Sequence, residues 1–217
     1  MPSALQSSDA ELCSVAQADA TPLAARHVAF EALMRRYNRL VYRACRAVLR
    51  RDADAEDCAQ RVWVKVFRRL DGYEGRASFG AWVGRIAYHE AISMTRNTHS
   101  ADLRPMEDAE RVPSGSATPE QEVSAKQALA RIERAVDALS APLREVFMLR
   151  DIEARPVDEV ATMLGLSEEN VRVRSHRARI ELRRAVEHTD ADASAAFSFD
   201  GERCDRIVRG VLALLED

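Results

Sequence analysis

The stretch Pro156–Arg183, PVDEVATMLGLSEENVRVRSHRARIELR, carries the sharpest structural signal in the chain. Pro156 suits a first helical turn, and Val157, Val160, Ala161 and Leu164 repeat at the spacing of a short buried stripe. Gly165-Leu166 makes the turn. Ser167 then caps a second helix whose first turn holds Glu168 and Glu169. Short helix, glycine-bearing turn and capped second helix together predict a helix-turn-helix. At roughly 100° per residue, Val171, Ser175, Ala178 and Leu182 point inward. Arg172, Val173, His176, Arg177, Arg183 and Arg184 point outward, and Arg174 and Arg179 sit on the margins, where they serve equally as ion-pair partners. The outward N-terminal residues are placed to meet base edges in a major groove and the later arginines to meet phosphates. Arg172 and Arg177 are the better base readers, because arginine grips guanine through two hydrogen bonds. The same helix-glycine-helix shape also occurs in plain bundles.

Working outward, the rest of the chain also reads as helix. Alternating Val, Ile and Thr runs are nearly absent, aromatics are 6% of the residues, and Ala, Leu, Arg and Glu dominate. Phe30, Leu33, Met34, Tyr37, Val41, Ala44, Cys45 and Val48 form one stripe, which makes Cys45 a core thiol. Asp52 or Asp54 is placed to cap the next helix, with Ala55, Ala59, Val62, Val66 and Leu70 inward and Trp63 beside them. Its other face shows Asp57, Gln60, Arg61, Lys65 and Arg68. After the breaker Asp71-Gly72-Tyr73-Glu74-Gly75, a helix starting near Ser78 carries Phe79, Trp82, Val83, Ile86 and Ala87. Phe79, Trp63 and Trp82 all fall on buried stripes.

The expected fold class is all-α, with two small helical domains joined by a flexible acidic linker. Residues 1–24 read as disordered, 25–98 as the first domain, 99–122 as the linker, 123–188 as the helix-turn-helix domain, and 189–217 as an extension with a short amphipathic helix. In that last helix Ile207, Val208, Val211, Leu212 and Leu215 share a face too apolar for water. It is expected to pack on one of the chain's own domains. The alternative is that this acidic tail screens the Arg172–Arg184 face.

The net charge of −3 hides a strong segregation. Val171–Arg184 holds six arginines against one acid, Asp102–Glu122 six acids against two arginines, and Glu187–Asp217 eight acids against three arginines. A basic stripe flanked by acid segments keeps DNA binding open, although an arginine-rich solvated face has the same pattern. The four cysteines form no C-x-x-C pair, so neither disulfides nor a zinc site is expected. No run approaches the length of a membrane span and no leader pattern opens the chain, which places it in the cytoplasm without membrane insertion. There is no G-x-S-x-G, H-E-x-x-H, P-loop or Rossmann fingerprint. No catalytic residue, metal or cofactor is therefore expected. The acids Asp54, Glu56 and Asp57 imitate a metal cluster, but carboxylates in a first helical turn ordinarily answer the helix dipole.

Two motif sets carry a family resemblance. The first is Asp54-Ala55-Glu56-Asp57-Cys58-Ala59-Gln60, similar to D-A-E-D-x-x-Q, followed by Phe79-x-x-Trp82-Val83-x-Arg85-Ile86-Ala87, similar to F-x-x-W-L-x-R-I-A. The second is Glu159-Val160-Ala161-x-x-Leu164-Gly165 with Val171-Arg172-x-Arg174-x-x-Arg177-Ala178-Arg179-x-x-Leu182-Arg183. In order and spacing over about residues 27–187 these resemble the sigma-2 and sigma-4 domains of extracytoplasmic-function sigma factors. The resemblance implies a non-enzymatic subunit that binds core RNA polymerase, through its beta-prime and beta subunits, and recognises promoter DNA, commonly under an anti-sigma factor. It implies core-polymerase contacts at Asp57, Gln60, Arg61, Val64 and Lys65, and −10 element contacts at Tyr73, Arg85, Tyr88, His89 and Arg96. Contacts to the −35 element fall at Asn170, Arg172, Val173, His176 and Arg177. His89 and Val173 depart from the usual residues and put the preferred promoter sequence in doubt. The competing reading is a helix-turn-helix regulator acting without polymerase, which predicts a dimer on a palindrome and leaves D-A-E-D-x-x-Q unexplained.

Overall fold

The stripe from Phe30 to Val48 lies on α2 (Leu23–Leu49), a helix of about 40 Å against which the rest of the chain is arranged. The computed structural model describes residues 7–18, 20–98, 119–186 and 196–216. In chain order the other helices are α1 (Asp9–Gln17), α3 (Asp52–Arg68), α4 (Phe79–Thr98), α5 (Pro119–Ala138), α6 (Ala141–Phe147), α7 (Val157–Leu164), α8 (Glu168–Ala185) and α9 (Gly201–Glu216). A 3₁₀ turn (Leu70–Gly72) follows α3, and a π-turn (Met148–Ile152) continues α6. Among the described residues no strand is formed. Residues 99–118, the expected linker up to α5, lie outside the described residues, and 119–122 already belong to α5.

In the first domain α2, α3 and α4 close around Phe30, Leu33, Trp63 and Phe79, all at most 1% exposed. Phe30 meets Trp63 edge-on at 5.8 Å, and the indole Nε1 donates to Asn38 Oδ1 at 2.9 Å. That bond satisfies a polar group that would otherwise be costly to bury. Cys45 and Cys58 are both buried in this core, as the stripe requires. Asp52 does not cap α3. Arg51 stands at the cap without a side-chain bond, and Asp52, inside the first turn, pairs with Arg46 and Arg203.

The expected disorder of residues 1–24 fails for α1. Ser8 and Glu11 form a reciprocal capping box, with Ser8 Oγ accepting from Glu11 N at 3.3 Å and Glu11 Oε2 accepting from Ser8 N at 2.8 Å. Leu12, Cys13 and Ala16 are buried against α2. Asp9 pairs with Arg36, Gln17 reaches the Leu70 carbonyl, and Arg26 Nε donates to Ala16 O at 3.0 Å. Nine residues are too few to be helical alone; docking makes the helix. Burial, helped by the charge of Asp9, pushes the Cys13 thiol up to about 11 and leaves it unreactive.

The second domain is built as the Pro156–Arg183 stretch predicts. Gly165 ends α7 at φ 65°, a left-handed conformation natural to glycine. Ser167 Oγ accepts from Asn170 N at 3.2 Å, and Val171, Ser175, Ala178 and Leu182 are buried.

The two domains do not stand apart: α4 packs on α7, and α2 on α6 and the π-turn. Gly80 and Gly84, one turn apart on α4, make the first contact possible. A Cβ at Gly84 would lie 2.7 Å from Met163 Sδ, and one at Gly80 would lie 2.7 Å from Arg155 Nη2. One turn further, Tyr88 OH donates to Glu145 Oε2 on α6 at 3.1 Å. Along α2 the seam is made by arginine. Arg43 Nη1 donates to Ile152 O at 3.0 Å and pairs with Glu153 at 2.8 Å. Arg46 grips Asp137 of α5 with two bonds, at 2.8 and 2.7 Å, and Arg144 Nε donates to Ala47 O at 2.6 Å.

Burial at this seam holds the Glu145 carboxyl above its ordinary range, against the lowering effect of the Tyr88 bond. A carboxyl raised in the folded state favours folding while protonated and loses that contribution as pH rises through its folded pKa. At neutral pH Glu145 is thus a half-buried charge with incomplete compensation. Glu145→Gln keeps an acceptor for Tyr88 and removes the charge. Its melting temperature should exceed wild type by on the order of 2 °C at pH 7, and the gap should close as pH falls into the carboxylate range. A gap that is constant across pH would contradict this.

The C-terminal segment reaches both domains. Phe197, 1% exposed, sits among Ala47 of α2 and Ile132 and Val136 of α5. Its N–H donates to Glu133 Oε1 at 2.8 Å, and the Arg46 guanidinium lies 5.0 Å from the ring centre. It takes φ 56°, a conformation a bulky residue holds only when its surroundings enforce it. α9 then lies on α3 and α2, with Ile207, Val208 and Val211 buried. The amphipathic helix therefore packs on the first domain, as expected of its apolar face. The alternative, screening of Arg172–Arg184 by the acidic tail, is not the arrangement of its described part, since α9 lies on α3 and α2; Glu187, Asp190 and Asp192 lie outside the described residues.

Candidate functional site

Three faces gather the residues singled out in the sequence. On α3, Asp57, Arg61 and Lys65 are exposed, and Gln60 and Val64 are half-buried. They share one side of the helix because three- and four-residue steps return to one face. Lys65 reaches across to Glu90 of α4. With Arg68, Glu90 and Leu214 of α9, all five line one open groove.

On and before α4 the expected set divides. Arg85, His89 and Arg96 are exposed along the helix. Tyr88 is turned to the second domain, and burial together with Glu145 pushes its phenol up to about 12. Tyr73 is half-buried in the α3–α4 loop, its OH donating to Ala77 O at 3.0 Å and its ring 5.3 Å from both Phe79 and Trp82. Trp82 corrects the sequence reading. It is half-exposed, not core, and lines a shallow recess with Tyr73, Glu74, Gly75 and Arg76. Its stripe position is right, but it packs at the edge of the core beside Tyr73 and Phe79 rather than inside it.

On α8, Asn170, Arg172, Val173, His176 and Arg177 are all exposed, with Val173 at 40%. Arg172 pairs with Glu168 one turn back. The marginal Arg179 is an ion-pair residue: its Nε donates to Asp151 Oδ1 at 2.6 Å, and the same carboxylate accepts from Ser175 Oγ at 3.1 Å. Among the described residues no cluster of His, Cys, Asp or Glu is arranged to hold a metal, and no helix is long and apolar enough to cross a membrane.

Residues 33–100 match the family model for Sigma-70 region 2, and residues 129–182 match that for Sigma-70, region 4. The chain is 31% identical over 180 residues to the ECF RNA polymerase sigma factor SigE of Mycolicibacterium smegmatis, covering 82% of this chain and 70% of that protein. The chain belongs to the ECF RNA polymerase sigma factors. It is also 30% identical over 161 residues to the RNA polymerase sigma factor CnrH of Cupriavidus metallidurans, covering 71% of this chain and 84% of that one. The solved structure of CnrH in complex with the cytosolic domain of CnrY has the same fold, with a TM-score of 0.59 at 24% identity, covering 82% of this chain and 97% of the other. In a sigma factor the D-A-E-D-x-x-Q run has a reason to exist, so the regulator acting without polymerase is no longer favoured. What motif reading of this sigma factor missed is the seam: Gly80, Gly84, Arg43, Arg46 and Glu145 lie between its two regions. The G-x-x-x-G spacing on α4 was the only local signal for it.

Proposed function

We propose that the α3 face Asp57, Gln60, Arg61, Val64 and Lys65 docks this sigma factor on core RNA polymerase, through the beta-prime subunit, with beta also engaged in the complex. In this reading Arg85, His89 and Arg96, with Tyr73, meet the −10 element, and Tyr88 joins them once its bond to Glu145 across the seam is released. Trp82 joins them, since an uncovered aromatic edge beside a tyrosine is a surface on which unpaired bases stack. Asn170, Arg172, Val173, His176 and Arg177 meet the −35 duplex, with base readout centred on Arg172 and Arg177. An anti-sigma factor is the expected partner of the free protein, which works in the cytoplasm where polymerase acts. The domains are assigned as 25–98 for polymerase and −10 binding and 123–188 for −35 binding.

The observation that carries this reading is the α3 face itself, a charged and polar row of Asp57, Gln60, Arg61 and Lys65 beside a half-buried Val64, lining one open groove. Asp57→Arg with Gln60→Ala should weaken holoenzyme formation by about tenfold or more, as expected when two central interface residues are lost. Helix content by circular dichroism should stay unchanged. Undiminished co-purification with core polymerase would remove the assignment.

A further inference from the structure

α9 occupies part of the face just assigned to polymerase. Gly210 lies so close to Gln60 that a Cβ there would come within 2.7 Å of its Nε2. Leu214, 53% exposed, overhangs the groove lined by Asp57, Gln60, Arg61 and Val64. The helix is anchored at the other end of α3. Arg203, 8% exposed, reaches Glu56 Oε1 at 2.8 Å, Asp52 Oδ2 at 3.0 Å and Tyr42 OH at 2.7 Å, and Arg206 adds a second pair to Glu56. These arginines answer the acids that open α3, so the contact is specific in charge as well as shape.

We propose that the C-terminal segment 196–216 is an intramolecular competitor of core RNA polymerase, covering the Gln60 side of the α3 docking face until polymerase displaces α9. The proposal rests on the reading of α3 given above. Packed helices sit 8–10 Å apart, so α9, with Gly210 on Gln60 and Leu214 at the groove, stands in the way of a second helix approaching that side of α3. The segment has a second grip. Phe197 fastens it between α2 and α5, so peeling away α9 also loosens the seam between the two regions. Sixteen residues are marginal as a free helix, so a displaced α9 loses its hydrogen-bond protection. Only the fraction of molecules with the tail detached binds polymerase at full strength, which lowers the apparent affinity by that fraction.

Hydrogen–deuterium exchange on the full-length chain, free and in the holoenzyme, tests this directly. Amides of α9 protected in the free protein should become exchangeable in the holoenzyme while those of α3 gain protection. Gain on α3 with α9 still protected overturns the competition and leaves the docking reading intact. A holoenzyme in which α3 gains nothing sinks the docking reading, and the competition with it. The full-length variant Ile207→Asp with Val211→Asp should detach the tail and bind core polymerase about tenfold or more tighter. Equal or weaker binding by a variant that keeps α2–α4 protected rejects the proposal. Should that variant lose α2–α4 protection, Arg206→Glu, which sets an exposed acid against Glu56, decides instead. About threefold tighter binding supports competition, and no change rejects it.

Discussion

Phe197→Ala is expected to cost the folded chain about 3–5 kcal/mol, the range for emptying a fully buried phenylalanine site. The ring belongs to a buried cluster with Ala47, Ile132 and Val136 and lies under the Arg46 guanidinium. These groups belong to α2 and α5, which have no reason to collapse together once the ring is gone. The φ of 56° allows a control. Glycine accepts that backbone without strain, so Phe197→Gly should be less destabilised than Phe197→Ala by roughly 1 kcal/mol. Urea denaturation of the three proteins measures both differences. A loss below about 1 kcal/mol for Phe197→Ala would mean that the ring is not a structural plug.

Arg43→Ala should be of similar size, about 3–5 kcal/mol, for a different reason. Its side chain is 7% exposed, and its partner Glu153 6%. Removing the guanidinium leaves a carboxylate out of water with only Arg39, 58% exposed, at 3.2 Å. Burial already works against the charge on Arg43, whose pKa is lowered chiefly by desolvation. The pair as a whole is therefore worth far less than the damage done by breaking it. Arg43→Met with Glu153→Gln should thus be markedly more stable than Arg43→Ala alone, the non-additivity expected of a coupled pair. Equal losses from the single and double variants would show that the ion pair is incidental to the seam.

The helices of both regions were legible because each buries a stripe at helical spacing. Val171, Ser175, Ala178 and Leu182 are inward as read, and Arg172, Val173, His176 and Arg177 outward. What periodicity does not record is which surface faces which. Gly80 and Gly84 look like weak points of α4 until Met163 and Arg155 are set against them. Arg43 and Arg46 lie on the polar side of the α2 stripe and would pass for solvated residues, yet they are buried under α5 and the π-turn. α1 escaped because three buried side chains in nine residues form too short a pattern. The tail's apolar face announced a docked helix, but its address on α3 is set by Arg203 meeting Glu56 and Asp52, some 150 residues away in sequence.

The arginine seam is only half of what joins the two regions. Much of what α2 offers the second region is guanidinium, received by carboxylate or backbone carbonyl, and Arg144 returns a guanidinium to the Ala47 carbonyl of α2. When the regions part, these groups exchange one set of hydrogen bonds for another with water. Apolar surface is bared as well, because Val146, Leu149, Val160 and Met163 share one buried cluster with Phe79, Ala87 and Ala91 of the first region. Parting the regions therefore calls for a partner that covers the bared apolar face as it forms.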